Sequence, residues 1–143
     1  MTTVEGQRHF DAPPERVFAA LTDPDVVATA LPAVREHRTI DVDHWEAKIK
    51  LHIPFAPSVT LRFEIVEKRP PEHATLRSHG GHADVDTSFD LEGDGDGGTR
   101  MHWRAQIRLT GILAAFGGHG FEPIARRQAQ HVLDRVAHAV DSS

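Results

Sequence analysis

The last stretch of the chain, Phe121 to Val140, constrains the fold most strongly. Its apolar residues recur at three- and four-residue steps, with polar residues on the opposite side. The apolar positions are Phe121, Ile124, Ala125, Ala129, Val132, Leu133, Val136, Ala137 and Val140. This spacing predicts an amphipathic helix, and Pro123 is compatible with its first turn. Such a helix needs a broad apolar surface to lie on.

The middle of the chain supplies that surface, because apolar and polar residues alternate from about Val34 to Leu109. A period of two predicts strands with one dry face and one wet face. Four clear strands are expected, at 45–53, 59–65, 85–91 and 101–109. Two weaker strands are expected at 35–42 and 73–78. Proline and glycine pairs separate them, and such short connections favour an antiparallel meander.

The first third of the chain contains a strand and two short helices. A strand is expected from Val4 to Asp11, and a helix opens at Pro14 and runs to Leu21. Asp23 is a candidate cap for a second helix, which spans Asp25 to about Ala30. The predicted order is therefore a strand, two short helices, six strands and a long helix, an α+β arrangement with about seven strands.

Composition narrows the class of protein. At 143 residues the chain is most simply one domain, spanning residues 1–143. The net charge of −5 argues against a nucleic-acid partner, and the absence of cysteine excludes disulfides and a thiol nucleophile. Neither a signal peptide nor an apolar run long enough to span a membrane is expected. A cytoplasmic protein is the prediction.

Several motifs resemble one known superfamily. The opening from Phe10 to Phe18 resembles the lead-in to the first helix of the START-like or SRPBCC superfamily. Closer likeness to the CoxG family, named for the G-subunit of carbon monoxide dehydrogenase, lies in the segments 21–26, 31–34, 80–81 and 98–100, and in Gly111 with Gly117. Ala33 departs from the glycine that is usual in that family. The resemblance covers nearly the whole chain.

This resemblance carries expectations for fold and function. It implies a helix-grip fold, in which a curved antiparallel sheet wraps around a long C-terminal helix and leaves a cavity for an apolar ligand. It further implies an accessory role for a molybdenum hydroxylase partner, with peripheral contact at the inner face of the membrane, through a lipid or quinone-like ligand. The glycine-rich segment 111–120 is our preferred site for that contact.

Inward-facing residues of the sheet and helix are the candidate cavity. Ligand pockets are mostly apolar with a few polar groups, although the same residues would equally serve as plain core. Small residues at Ala47, Ala105 and Ala129 favour an open space. The candidate cavity residues are Trp45, Ile49, Leu51, Leu61, Phe63, Leu76, Phe89, Trp103, Ile107, Phe116, His119, Phe121, Ile124, Gln128 and Val132.

No metal or cofactor signature is evident. The eleven histidines lack metal-ligand spacing, and we expect most of them to be solvated. The run from Gly93 to Gly98 hints at a calcium loop, but its twelfth position is Trp103, where a bidentate glutamate is needed. We interpret it as a hairpin turn. Cations on the wet face of the sheet, including Arg104 and Arg108, suggest either a solvated face or a weak partner surface.

Three functions remain open, and fold alone does not choose among them. The first is non-enzymatic binding of a hydrophobic ligand, which we favour because no catalytic residues are evident. The second is an enzyme similar to polyketide cyclases and dehydratases, which would need an ionisable pair beside the ligand, such as His119 or Arg77 with Glu122. The third is a protein-interaction module.

Overall fold

A computed structural model describes residues 2–31, 34–50, 58–110 and 121–141 of the chain. Within these ranges it contains seven strands and three helices. The elements in chain order are β1 (Thr2–Phe10), α1 (Pro14–Leu21), α2 (Pro24–Ala30), β2 (Val34–Asp41), β3 (His44–Lys50), β4 (Ser58–Arg69), β5 (His73–Gly80), β6 (Ala83–Gly93), β7 (Thr99–Leu109) and α3 (Phe121–Asp141). The predicted element order is therefore confirmed.

The strands form one antiparallel sheet with the order β1-β7-β6-β5-β4-β3-β2. Strands β2 to β7 follow one another as a meander, and β1 pairs with β7 along its whole length, from Thr2 opposite Ile107 to Phe10 opposite Thr99. Alternation along β7 is strict, since its buried residues are separated by exposed or half-buried ones. The sheet thus has a buried inner face and a charged outer face.

Local sequence explains the two short helices. Asp23 caps α2, because its side-chain oxygen accepts a hydrogen bond from the backbone N–H of Asp25 at 2.9 Å. Pro24 occupies the first turn of α2, and Pro14 does the same in α1. Both helices bury an apolar side, with Val17 of α1 and Ala28 of α2 fully enclosed. These helices cover the part of the inner face that α3 does not.

Helix α3 runs beside the edge strand β1, and its other close backbone neighbours are α1 and α2. Polar contacts hold it there at three points along its length. Arg126 donates to the backbone oxygen of Glu5 at 2.7 Å, and Arg8 of β1 forms an ion pair with Asp134. Near the end of the helix, Arg16 of α1 donates to the backbone oxygen of Val140 at 2.6 Å.

The apolar interior is divided into two clusters. The larger one joins α1 and the C-terminal half of α3 to β1, β6 and β7, and includes Phe18, Phe89, Trp103 and Val136. The smaller one joins α2 to β3 and β4 around Trp45. Half-buried Leu76 of β5 packs against both clusters. The boundary between the clusters therefore runs along the central strands of the sheet.

Candidate ligand-binding site

The register of the sheet places the inner-face residues in rows across the strands. One row runs from Phe63 on β4 through Ser78 and Val85 to Ile107 on β7. The next row runs from Ile65 through Leu76 and Thr87 to Ala105, also from β4 to β7. Directly opposed residues in an antiparallel sheet share one face, so all of these side chains point toward the helices.

Burial changes sharply along the strands in the middle of this face. Ala74, Phe89 and Trp103 are at most 4% exposed, and we call these three residues the closed patch. Further along the same strands, the inner-face side chains are only half-buried, although they lie in the middle of the sheet. We call this group the open patch, and it consists of Leu76, Ser78, Val85 and Thr87. The helices thus cover one patch fully and the other incompletely.

Helix α3 shows the same gradient from end to end. Near its C-terminus, Leu133, Val136 and Val140 are buried. Toward its N-terminus, Ala129 is half-buried and Ile124 is 55% exposed. The N-terminal half of α3 therefore packs less tightly than the C-terminal half.

The predicted cavity residues are distributed across this gradient. Trp45, Phe63, Phe89, Trp103 and Ile107 are buried, whereas Ile49, Leu61, Leu76 and Val132 are half-buried. Ile124 and Gln128 are exposed on the flank of α3, so neither is enclosed between helix and sheet. Leu51, Phe116 and His119 lie outside the described residues, and so does the side chain of Phe121. Only Leu76 belongs to the open patch, and the ligand contacts of the whole set stay a prediction.

Sequence reasoning missed three members of the open patch. Val85 follows the apolar alternation of β6, so its place on the inner face was readable from the sequence. Ser78 and Thr87 occupy inner-face positions by the same alternation, but they carry hydroxyl groups and were not among the apolar candidates. Taking every second residue of each strand, whatever its hydrophobicity, would have included both. The open patch therefore combines two apolar side chains with two hydroxyl groups.

Two members of the ionisable set considered for catalysis lie away from this patch. Arg77 is on the outer face, where its Nε donates to Asp86 at 2.9 Å, and this contact raises the pKa of the guanidinium. Glu122 is exposed on α3 and pairs with Arg126 at 3.3 Å. Because neither side chain points between helix and sheet, the proposed pairing of Arg77 with Glu122 is wrong.

Comparison with known proteins gives the family. The sequence model of the CoxG family, the G-subunit of carbon monoxide dehydrogenase, matches residues 6–141. The chain belongs to the CoxG family. Among curated proteins, no sequence matches this CoxG family member significantly.

Solved structures agree on the fold. A conserved protein from Geobacillus kaustophilus superposes with a TM-score of 0.85 at 19% identity, over 99% of this chain and 97% of that one. A START superfamily protein from Mycobacterium smegmatis gives 0.79 at 10% identity, over 98% and 97% of the two chains. The structure of Ara h 8.0201 gives 0.76 at 14% identity, over 99% of each chain. This CoxG family member therefore has the helix-grip fold of the START-like superfamily.

Many histidines of this CoxG family member are paired rather than freely solvated. The nitrogens of His9, His37, His44 and His73 lie 2.6, 3.1, 2.8 and 2.8 Å from an aspartate oxygen, and His79 contacts Asp84. The contact with His79, together with Arg108 at 3.2 Å, lowers the pKa of Asp84. The contact with Asp41 raises the pKa of His44. His9, His44 and His79 stay exposed, and His37 and His73 are half-buried, so these pairs lie at the surface, where the histidines were expected.

The glycine-rich turn after β6 is held by Asp94. The side chain of Asp94 accepts hydrogen bonds from the backbone N–H groups of Asp96 and Gly98 at 2.7 and 2.9 Å, and it contacts His9 at 2.6 Å. The contact with His9 is the largest of the effects that lower the pKa of Asp94 to about 2. Its oxygens thus close a hairpin turn, and the described ranges contain no cluster of three metal-ligating side chains.

Two clefts lie among the described residues at the surface, away from the open patch. One has a volume of about 380 Å³ between α2 and α3, and the other, of about 770 Å³, crosses β1, β6 and β7. Neither cleft is lined by a predicted cavity residue or by a member of the open patch. Among the described helices, none has the length and apolar character required to cross a membrane.

Proposed function

We propose that this CoxG family member binds a small hydrophobic ligand, a lipid or a quinone-like molecule, without catalysing its conversion. The ligand lies on the open patch, beneath the N-terminal half of α3. One observation carries this proposal: Leu76, Ser78, Val85 and Thr87 are half-buried at the centre of a face whose neighbouring residues are buried. Incompletely covered apolar side chains beside a few polar groups are typical of ligand pockets.

The composition of the open patch suits this class of ligand. Leu76 and Val85 offer apolar contact, and Ser78 and Thr87 offer hydroxyl groups that orient a polar head. An acid–base enzyme needs a positioned ionisable group beside the reacting atoms, and the four residues of the open patch include none. This composition favours the binding function over the cyclase-like alternative.

A matched pair of substitutions tests the proposal. Thr87 and Ser88 are adjacent on β6, half-buried, and on opposite faces of the sheet. Thr87→Phe fills the space above the open patch, whereas Ser88→Phe adds the same ring to the outer face. Solvent extraction of purified protein followed by mass spectrometry should yield a lipid or quinone from the wild type and Ser88→Phe, and much less from Thr87→Phe. Extracts without any such molecule, and no uptake of added lipid, would contradict the proposal.

The family name suggests a cellular role for the proposed ligand binding. We further propose an accessory role for a molybdenum hydroxylase in the cytoplasm, in which the ligand or the start of α3 brings the pair to the membrane surface. The exposed Ile124 at the start of α3 supports this placement, since it offers an apolar side chain to a membrane or partner. Flotation of the hydroxylase with liposomes should require this protein and weaken with Ile124→Ser. Equal flotation without it would contradict the role.

A further inference from the structure

One buried side-chain donor has no acceptor. In the described part of the chain, two buried side-chain polar atoms lack a hydrogen-bond partner, Asp43 Oδ1 and Trp45 Nε1. Asp43 Oδ1 lies 2.8 Å from Lys68 Nζ, so its charge is compensated. The indole N–H of Trp45 is therefore left alone, although Trp45 is 0% exposed. A buried donor without an acceptor destabilises the ligand-free state, because the N–H has lost its hydrogen bond to water.

Trp45 lies in the same row as the open patch. It is directly opposite Phe63 on β4, and Phe63 is opposite Ser78, which is opposite Val85. The rings of Trp45 and Phe63 are stacked, with centroids 5.4 Å apart and an interplanar angle of 5°. The unpaired N–H therefore belongs to a stacked aromatic pair that is next to Ser78 of the open patch in this row.

We propose that the ligand carries a hydrogen-bond-accepting oxygen, such as a quinone or ester carbonyl, that accepts from Trp45 Nε1. This inference rests on the proposed function and adds the polar group that the ligand must contain. Because Trp45 is fully enclosed, the oxygen reaches the indole as the side chains that cover it move aside. The hydrogen bond then satisfies the donor, so the ligand gains a contact that a plain hydrocarbon of the same shape does not.

A pair of probes isolates this hydrogen bond. The probes are 2-heptyl-1,4-naphthoquinone and 2-heptylnaphthalene, which share a carbon skeleton and differ in the two oxygens. Their dissociation constants are measured by calorimetry with protein refolded from urea to remove any co-purified ligand. We expect the quinone-to-hydrocarbon affinity ratio to fall about tenfold in Trp45→Phe, which keeps an aromatic ring at this position and removes the indole N–H. Phe10→Leu, a buried aromatic position on β1 outside the candidate cavity residues, is the control and leaves the ratio unchanged.

Nuclear magnetic resonance gives a test on the unmodified protein. The chain has two tryptophans, so the indole region of a nitrogen-15 spectrum has two signals, which Trp103→Phe assigns. The quinone should move the Trp45 indole proton downfield, whereas the hydrocarbon should not. If both probes bind but the ratio is the same in Trp45→Phe and the indole signal is unmoved by the quinone, the inference is overturned and the proposed function stands. If neither probe binds, the proposed function itself fails.

Discussion

The closed patch and the open patch share strands β5 and β6, yet the helices cover them to different extents. Over the closed patch, Phe18 of α1 meets Phe89 edge to face at 6.0 Å. Over the open patch, Val85 and Thr87 of the same strand remain half-buried. The closed patch belongs to the same apolar cluster as α1 and the buried residues of the C-terminal half of α3, whereas the described side chains of the N-terminal half of α3 contribute only the half-buried Ala125 and Ala129. The closed patch is therefore part of the buried core, whereas the open patch is only half-buried.

The largest expected contrast is between two residues of β6 on the inner face. Phe89→Ala should lower the free energy of unfolding by about 3–5 kcal/mol, because Phe89 is 2% exposed and its removal leaves a cavity. Val85→Ala, in the open patch, should cost about 1 kcal/mol or less because little packing is lost. Urea denaturation measures both values. Equal losses would show that the two patches are packed alike.

The same contrast should hold along α3. Leu133→Ala removes a buried side chain of the C-terminal half and should cost about 2–5 kcal/mol. Ile124→Ala, at the exposed N-terminal end, should change stability by no more than about 0.5 kcal/mol. Thermal and urea unfolding of both variants provide the measurement. A large loss from Ile124→Ala would mean that the start of the helix is packed after all.

A smaller effect is expected from adding one methyl group to the closed patch. A Cβ at Gly6 would lie 2.9 Å from Cζ2 of Trp103, so Gly6→Ala forces the indole to shift and should cost about 1–3 kcal/mol. Gly93→Ala is the control, because a Cβ there has nothing within 4 Å. Unfolding curves compare the two variants. Wild-type stability in Gly6→Ala would indicate free space around Trp103.

The smallest expected effect is electrostatic and lies in the turn beyond the closed patch. The pKa of Asp94 is lowered from 3.8 to about 2 in the folded protein. The stabilisation of the fold by the ionised Asp94 is therefore complete above about pH 4 and is lost as the pH falls toward 2. Asp94→Asn should therefore have a lower Tm than the wild type near neutral pH. The two proteins should converge as the pH approaches 2. A difference in Tm that does not change with pH would contradict this assignment.

The fold was predictable from the sequence because each element has its own periodicity. The apolar stripe of 121–140 gives α3, which the structure extends to Asp141, and strict alternation gives β7 over 101–109, which the structure begins at Thr99. The cap at Asp23 was equally local, since it depends on a hydrogen bond two residues away. Such features need no knowledge of distant parts of the chain.

The site was less predictable, because it depends on how far a helix stands from a sheet. Periodicity tells which side of α3 faces inward, but the tilt of the helix decides whether Val85 or Phe89 is covered. The pairing of His73 with Asp90 and of His79 with Asp84 depends on cross-strand register, which the sequence does not state. The unpaired indole of Trp45 is likewise a property of packing, and its sequence neighbours do not reveal it.

The central claim is that a hydrophobic ligand occupies the open patch, and methyl resonances test it most directly. In a titration with 2-heptyl-1,4-naphthoquinone, the methyl signals of Leu76 and Val85 should shift, while those of buried Leu91 and Val4 should stay nearly constant. A saturable change confined to Leu76, Val85 and their neighbours is the predicted result. Shifts that appear instead at Val4 and Leu91, or no shifts at all, would contradict the account.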